Sequence, residues 1–308
     1  MSDDLEVPPA APAPAPGATS GRPPARRPAV SQPGAGTGRG LARTGAYLVL
    51  VALALFAVVP FSWLVLAAFD RQASIFVKVP SAWTLGNFVN LFANEDGLRL
   101  IVNSLIYSGG ATLVLVVVAT MAGYVLSRYG FPGRRTLMLG ILLIRVIPPT
   151  AIIAPLYVIA ASLGFLNTYY GVTLVLASWQ LPLALWLMKG FFDTVPIQIE
   201  EAAWVDGATR LKAAFRVVLP LAGPGVGAAA LIAFIGAWNE FLIPLVLISD
   251  PDKQPIALGL FRAYISYTQV DWGFLAALSV VYVVPAVVFY VIARRALQQS
   301  VAGGLAGT

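Results

Sequence analysis

Residues 194–224 read TVPIQIEEAAWVDGATRLKAAFRVVLPLAGP, a long polar passage between two strongly apolar stretches. The passage reads as two short helices around a glycine. Pro196 suits a first helical position, because the N–H it lacks would be unbonded there, and Asp193 or Thr194 can cap that end. Gly207 permits the left-handed backbone that ends the first helix, and Thr209 can cap the second. Pro220 has no N–H to continue a helical ladder and closes the second helix. Ala202 and Ala203 leave a bare face that another protein can approach closely, with Glu200, Glu201 and Asp206 as acceptors at its edge.

The chain around this hairpin is too apolar for a soluble domain: 58% of its 308 residues are hydrophobic, 11% are charged, and the mean hydropathy is +0.81. It has no Cys and no His, which excludes a disulfide framework, a thiolate metal site and the usual general base. The net charge of +6 is spread over short loops rather than gathered in a patch, so no nucleic-acid reading survives.

Working outward, the apolar runs give an all-α polytopic membrane protein of six transmembrane helices. The first span lies within 44–69 and the second within 100–127. Residues 136–188 are too long for one helix; GFLNTYYG (Gly164–Gly171) is a turn with paired interfacial tyrosines between the third and fourth spans. Pro148-Pro149 should bend the third span near its middle. The hairpin loop, 193–223, follows the fourth span. The fifth span covers 223–248 and is lined with the small residues Gly225, Gly227 and Ala228–Ala230, which allow close helix packing. The sixth covers 273–293. This gives a membrane domain over 41–296. Before it, residues 1–40 are a Pro/Ala-rich tail unable to bury enough apolar surface to order itself, and after it 297–308 are a short tail.

Basic residues fix the expected orientation. The tails and even-numbered loops hold Arg128, Arg134, Arg135, Lys189, Arg210, Lys212, Arg216, Arg294 and Arg295 together with five N-terminal arginines, against only Arg71, Lys78, Arg99, Lys253 and Arg262 in the odd-numbered loops. The positive-inside rule puts both termini and the hairpin in the cytoplasm.

Two ionisable residues fall inside spans, where charge is costly. Arg145 stands just before the proline pair, and snorkelling or a salt bridge within the bundle is its ordinary role. Glu240 lies deep in the fifth span beside Trp238 and Asn239. With Trp179, Gln180 and Trp186 of the fourth span, Trp238 and Asn239 could offer aromatic faces and hydrogen bonds to a polyhydroxylated solute; lipid-facing or bundle packing is the competing role for each.

At the hairpin the sequence resembles a known family. Glu201-Ala202-Ala203, Gly207, Val217 and Leu219-Pro220 have the spacing of the EAA loop of membrane subunits of ATP-binding-cassette (ABC) importers, with Val217 in place of the usual isoleucine. Asp206 and Ala208 complete the EAAxxDGA form of the carbohydrate-importer branch. TLGNF (Thr84–Phe88), Asn103-Ser104 and AWNEFLIP (Ala237–Pro244) are similar to stretches of maltose-type permeases, the last near the translocation path. VAGGLAGT (Val301–Thr308) resembles the glycine-rich tail of the second permease subunit, without the closing Val-Lys-Gly. The resemblance implies an ABC importer type I permease for a sugar or oligosaccharide, whose hairpin is a coupling helix seated on a separate ATPase. It implies four kinds of partner surroundings: two cytoplasmic ATPase subunits, a second permease subunit, an extracytoplasmic solute-binding protein, and membrane lipid. No cofactor is expected on the chain itself, since it has no GxxxxGK[ST] phosphate loop and ATP would be bound by the partners. The alternatives are an ABC importer of a non-sugar solute and an ion-gradient-driven secondary transporter, for which Glu240 alone offers a coupling carboxylate. A membrane enzyme lacks clustered acid–base groups.

Overall fold

The computed structural model describes residues 38–93, 95–265 and 270–305, where the regular structure is helical apart from one isolated β-bridge, Asp70 to Trp83. The tail expected over 1–40 lies outside the described residues up to position 37, and the chain is helical from Gly38. Residues up to Ala54 and those from Leu55 onward are two compact units, with α1 (Gly38–Ala68) running through the division. In the first unit the side chains from Arg43 onward are exposed, apolar ones such as Tyr47 and Leu48 included, as suits a helix bathed in hydrocarbon.

Four helices are long and apolar enough to cross a membrane: α1, α3 (Glu95–Arg128), α6 (Tyr169–Thr194) and α13 (Trp272–Leu305). Two further crossings are bent pairs. α4 (Arg134–Leu143), extended by a 3-10 turn at Ile144–Val146, meets α5 (Pro149–Ser162) at 101°. Ile147 and Pro148 each precede a proline and are extended, with ψ of 123° and 136°, because the following ring clashes with a helical backbone. The arm holding α8 (Arg210–Ala213) and α9 (Leu219–Leu221) meets α10 (Gly223–Trp238) at 73°. Counting each pair once gives six spans.

Two expectations are corrected, and the last helix extends beyond its expected span. The fifth span is not one helix over 223–248: α10 ends at Trp238, and α11 (Leu242–Leu247) begins after a break. Glu240 Oε1 accepts from the N–H groups of Leu242 at 3.1 Å and Ile243 at 3.4 Å, and Pro244 could not have donated to the ladder in any case. Pro220 does not end its helix, because a wide π turn over Ala214–Val218 precedes it and the change of direction falls at Ala222. The last helix runs through the expected tail to Leu305, carried by helix-favouring Arg, Ala, Leu and Gln; residues 306–308 lie outside the described residues.

From Leu55 onward the core is built around α3 and α6, which lie side by side, with α10 packed on both and α13 on α10. Leu115, Leu176, Met188, Phe192 and Ala229 form one buried cluster, and Phe234, Trp238, Ala277 and Leu278 a second. α3 and α6 approach closely at Gly123, where a Cβ would stand 2.9 Å from Met188 Cβ and 3.1 Å from Lys189 N. Gly109, on the same helix, has nothing within 4 Å of its Cβ position. The two sites predict opposite signs for one substitution. Gly109→Ala should raise the thermal unfolding midpoint through helix propensity, by about 0.5–1 kcal/mol. Gly123→Ala should lower it by about 1–3 kcal/mol through overpacking against backbone. Thermal melts of the purified complex check both.

Candidate functional site

The hairpin begins where α6 ends. Thr194 Oγ1 donates back to Phe191 O, while Asp193 accepts from Ser127 Oγ at 2.7 Å and pairs with Lys189, so neither caps the next helix as expected. Pro196 is instead the residue that precedes α7 (Ile197–Val205). The far end of α7 follows the sequence reading. Gly207 is left-handed at φ 86°, its N–H donates to Trp204 O at 3.0 Å, and Ala208 N–H donates to Ala203 O at 2.9 Å. This is a Schellman closure, and it explains why Asp206-Gly207-Ala208 stand together. Thr209 Oγ1 then accepts from Lys212 N–H at 3.3 Å and caps α8, while Arg210 lies 5.3 Å over the Trp204 ring and ties the two arms.

The two glutamates of α7 part company. Glu201 is exposed, with Ala202, Val205 (88% exposed) and Asp206; Ala203 and Ala208 are half-buried. Glu200, expected beside Glu201 as an acceptor at the rim, is turned inward and 1% exposed. Its Oε2 meets Arg128 Nε at 2.8 Å, its Oε1 accepts from Tyr124 OH, and Arg128 Nη2 donates to Val195 O at 3.0 Å. Glu200 stands on the side of α7 that packs against the bundle, where a carboxylate cut off from water needs a buried cation. Sequence reasoning missed this anchor, because Arg128 is 72 positions away and reads as one more positive-inside arginine. Leu219 is half-buried and Pro220 exposed on the second arm.

The residues proposed for a solute path, together with Arg145, fall into four places. Arg145, Trp179 and Gln180 come together: Arg145 Nη1 donates to Trp179 O at 3.1 Å and Gln180 Oε1 at 3.2 Å, and its guanidinium lies 5.7 Å over the Trp179 ring. Trp179 also lines a cavity of about 280 Å³ with Ile144, Pro149, Leu242 and Ile243, so the breaks in the third and fifth spans open on one space. Asn239 and Glu240 occupy the fifth-span break; Asn239 is exposed and accepts from Tyr282 OH at 2.6 Å, and Glu240 caps α11. Trp238 leaves the group. It is 2% exposed, donates to Tyr282 O at 3.0 Å and stacks with Phe234 and Tyr282, a core position fixed by the one acceptor its indole can reach. Trp186 is exposed in a different cavity, at the hairpin end.

At the opposite end of α3, Asn103 donates to Asp252 O at 2.9 Å and Gln254 O at 3.0 Å and accepts from Tyr169 OH at 2.8 Å. Ser104 Oγ accepts from Ile256 N–H at 2.7 Å, and Tyr107 OH donates to Lys253 O at 2.9 Å. These bonds staple the connection leading into α12 (Ile256–Tyr264) onto α3. Asp250 in that connection is held below its usual pKa by Lys253 and by the Asp252 N–H. Thr84 accepts from Gly86 N–H at 2.9 Å and starts α2 (Gly86–Ala93), where Asn87 donates to Ala68 O and Asp70 O.

The buried pair at the hairpin generates a specific expectation. Glu200→Gln and Arg128→Gln should each destabilise the protein by roughly 3–5 kcal/mol, since each leaves one buried group uncompensated, whereas Glu200→Leu/Arg128→Met should recover most of that loss. A double-mutant cycle on thermal unfolding checks it.

Comparison with known proteins agrees with this geometry. The family model described as "Binding-protein-dependent transport system inner membrane component" matches residues 115–303. The chain is 32% identical to the diacetylchitobiose uptake system permease protein NgcG of Streptomyces coelicolor, over 84% of this chain and 87% of that one. It is also 32% identical to the maltodextrin transport system permease protein MdxG of Bacillus subtilis, over 89% and 99%. Among solved structures, a chain of a bacterial ABC transporter involved in import of the acidic polysaccharide alginate superposes with a TM-score of 0.76 at 19% identity, covering 86% of this chain and 99% of that chain. With the six spans, the hairpin between the fourth and fifth, and these matches, the chain belongs to the binding-protein-dependent transport system inner membrane components, the permease subunits of ABC importers.

Proposed function

We propose that this permease imports a sugar or oligosaccharide and is driven through α7 by ATPase subunits that it does not itself contain. The relatives named for diacetylchitobiose and maltodextrin uptake, and the structural neighbour described for alginate import, support the carbohydrate class. The observation that carries the driving mechanism is the division of labour on α7: Glu200 is bolted to α3, while Glu201, Ala202, Val205 and Asp206 are left uncovered. A cleft in a cytoplasmic ATPase would receive that exposed face. Two such subunits bind and hydrolyse ATP, so the chain needs no cofactor and catalyses no reaction. A second permease completes the pathway, and an extracytoplasmic binding protein delivers solute at the end stapled by Asn103; a solved alginate transporter described as in complex with its pentasaccharide-bound periplasmic protein supports that partner. Both termini and the hairpin lie in the cytoplasm. Closure of the ATPases presses on α7 and rocks the spans between inward-open and outward-open arrangements. Solute passes along the two helix breaks, where the Trp179 ring lines the shared cavity and the exposed Asn239 of the fifth-span break offers hydrogen-bonding groups, with Gln180 and Glu240 behind them.

Glu201→Lys tests this reading. It places a cation where the exposed carboxylate stood, and an unpaired or like charge in a protein interface costs about 2–5 kcal/mol. Uptake in vesicles should fall by more than about tenfold, with ATPase activity no longer stimulated by the loaded binding protein and with the fold of the subunit unchanged. Normal stimulation in that variant would remove α7 from the drive train.

A further inference from the structure

At the hairpin end, a cavity of about 690 Å³ opens between the start of α4 and the last turns of α6. Its rim is basic, with Arg134, Arg135 and Lys189, and its wall is apolar, with Phe131, Leu139 and Trp186. The charges are unequally committed. Lys189 pairs with Asp193, and Asp193 also accepts from Ser127, so that pair is neutral. Arg134 and Arg135 form no ion pair among the described residues and leave two positive charges facing the opening. No side chain caps α4, and Gly133 before it is left-handed at φ 84°; Arg134 N–H donates to Phe131 O at 3.3 Å, and the next backbone N–H groups of this helix add to the same positive end. The wall is open as well: Trp186 is 56% exposed and Leu139 54%. A soluble anion would satisfy the arginines and leave that wall uncovered. The matching ligand carries an anionic head and apolar chains.

We infer that this cavity holds an anionic phospholipid of the inner leaflet, its phosphodiester between Arg134, Arg135 and the start of α4, and its acyl chains along Trp186 and Leu139. The leaflet rests on the orientation proposed above; the binding chemistry does not. Lys189 and Asp193 lie in the last turns of α6, just before α7 begins, so the lipid sits at the root of the hairpin.

The test is lipid retention by the purified full complex. The complex is delipidated in neutral detergent, incubated with phosphatidylglycerol and phosphatidylcholine together, and the retained lipids are counted by native mass spectrometry. Phosphatidylglycerol should be retained in preference. Arg134→Gln and Arg135→Gln should each weaken its retention about fivefold, while Arg134→Lys and Arg135→Lys, which keep the charge, should retain it nearly as the parent does. Arg43→Gln, the same loss of charge elsewhere on the same side, should change nothing, and excess glycerol phosphate should not displace the lipid. Three results would overturn the inference. Equal weakening by Arg43→Gln would mean diffuse surface attraction, and displacement by glycerol phosphate would mean a bare anion site. Arginine variants that shed an ATPase subunit while keeping their lipid would make the cavity a protein interface. Because the assay is run in detergent, a wrong orientation would not alter it; lipid placed in one leaflet of reconstituted vesicles reads that separately.

Discussion

The ion pair between Arg128 and Glu200 governs how this subunit is put together at its hairpin end. Each charge costs several kcal/mol to remove from water, and mutual contact with good hydrogen bonds is what makes the position tenable. Glu200 has Arg128 and Tyr124 as partners, and Arg128 has Glu200 and the Val195 carbonyl. A nine-residue helix with weak intrinsic stability is thereby given one location and one rotation. Rotation is the consequential part: with Glu200 facing inward, the arc carrying Glu201, Ala202 and Val205 must face outward.

The opposite end of α3 is fixed by a different means. There Asn103, Ser104 and Tyr107 hold the backbone of the connection into α12 through neutral hydrogen bonds. One helix of 34 residues, about 50 Å long, therefore has the hairpin on one end and the 252–256 connection on the other. Near its hairpin end it is pressed against α6 at Gly123. Between these ends, the third and fifth spans are broken by Pro148-Pro149 and at Asn239–Phe241, and both breaks open beside Trp179. Rigid packing along α3 and α6 with irregular backbone at the cavity is the arrangement expected where non-helical backbone lines a path rather than facing lipid.

Much of this was legible in the sequence, because the signals were local. Apolar run lengths gave six spans, paired prolines gave the third-span bend, and EAAxxDGA gave a short helix closed by a left-handed glycine. What stayed hidden depended on contacts distant in sequence or on competition between neighbours. Glu200 and Glu201 are chemically identical, and only the position of Arg128 tells them apart. Glu240 looked like a charge buried in a continuous helix because no pattern revealed that its carboxylate would cap the next segment. Trp238 looked like a path residue, since an aromatic ring carries no mark of whether its N–H will find a carbonyl such as that of Tyr282. Pro220 looked like a terminator because the wide turn that accommodates it has no sequence signature.

The central claim is that α7 and the hairpin end of α3 move as one body, so that force received by the hairpin reaches the spans. The chain has no cysteine, so spin labels can be placed at Ile199→Cys and Val125→Cys alone, both of which are exposed. Their separation should be measured by pulsed electron resonance in the assembled transporter, without nucleotide and with ATP trapped. The account predicts the same mean distance and the same width in both states. A shift of the mean beyond the spread of the labels would show α7 swinging free of α3, and would contradict it.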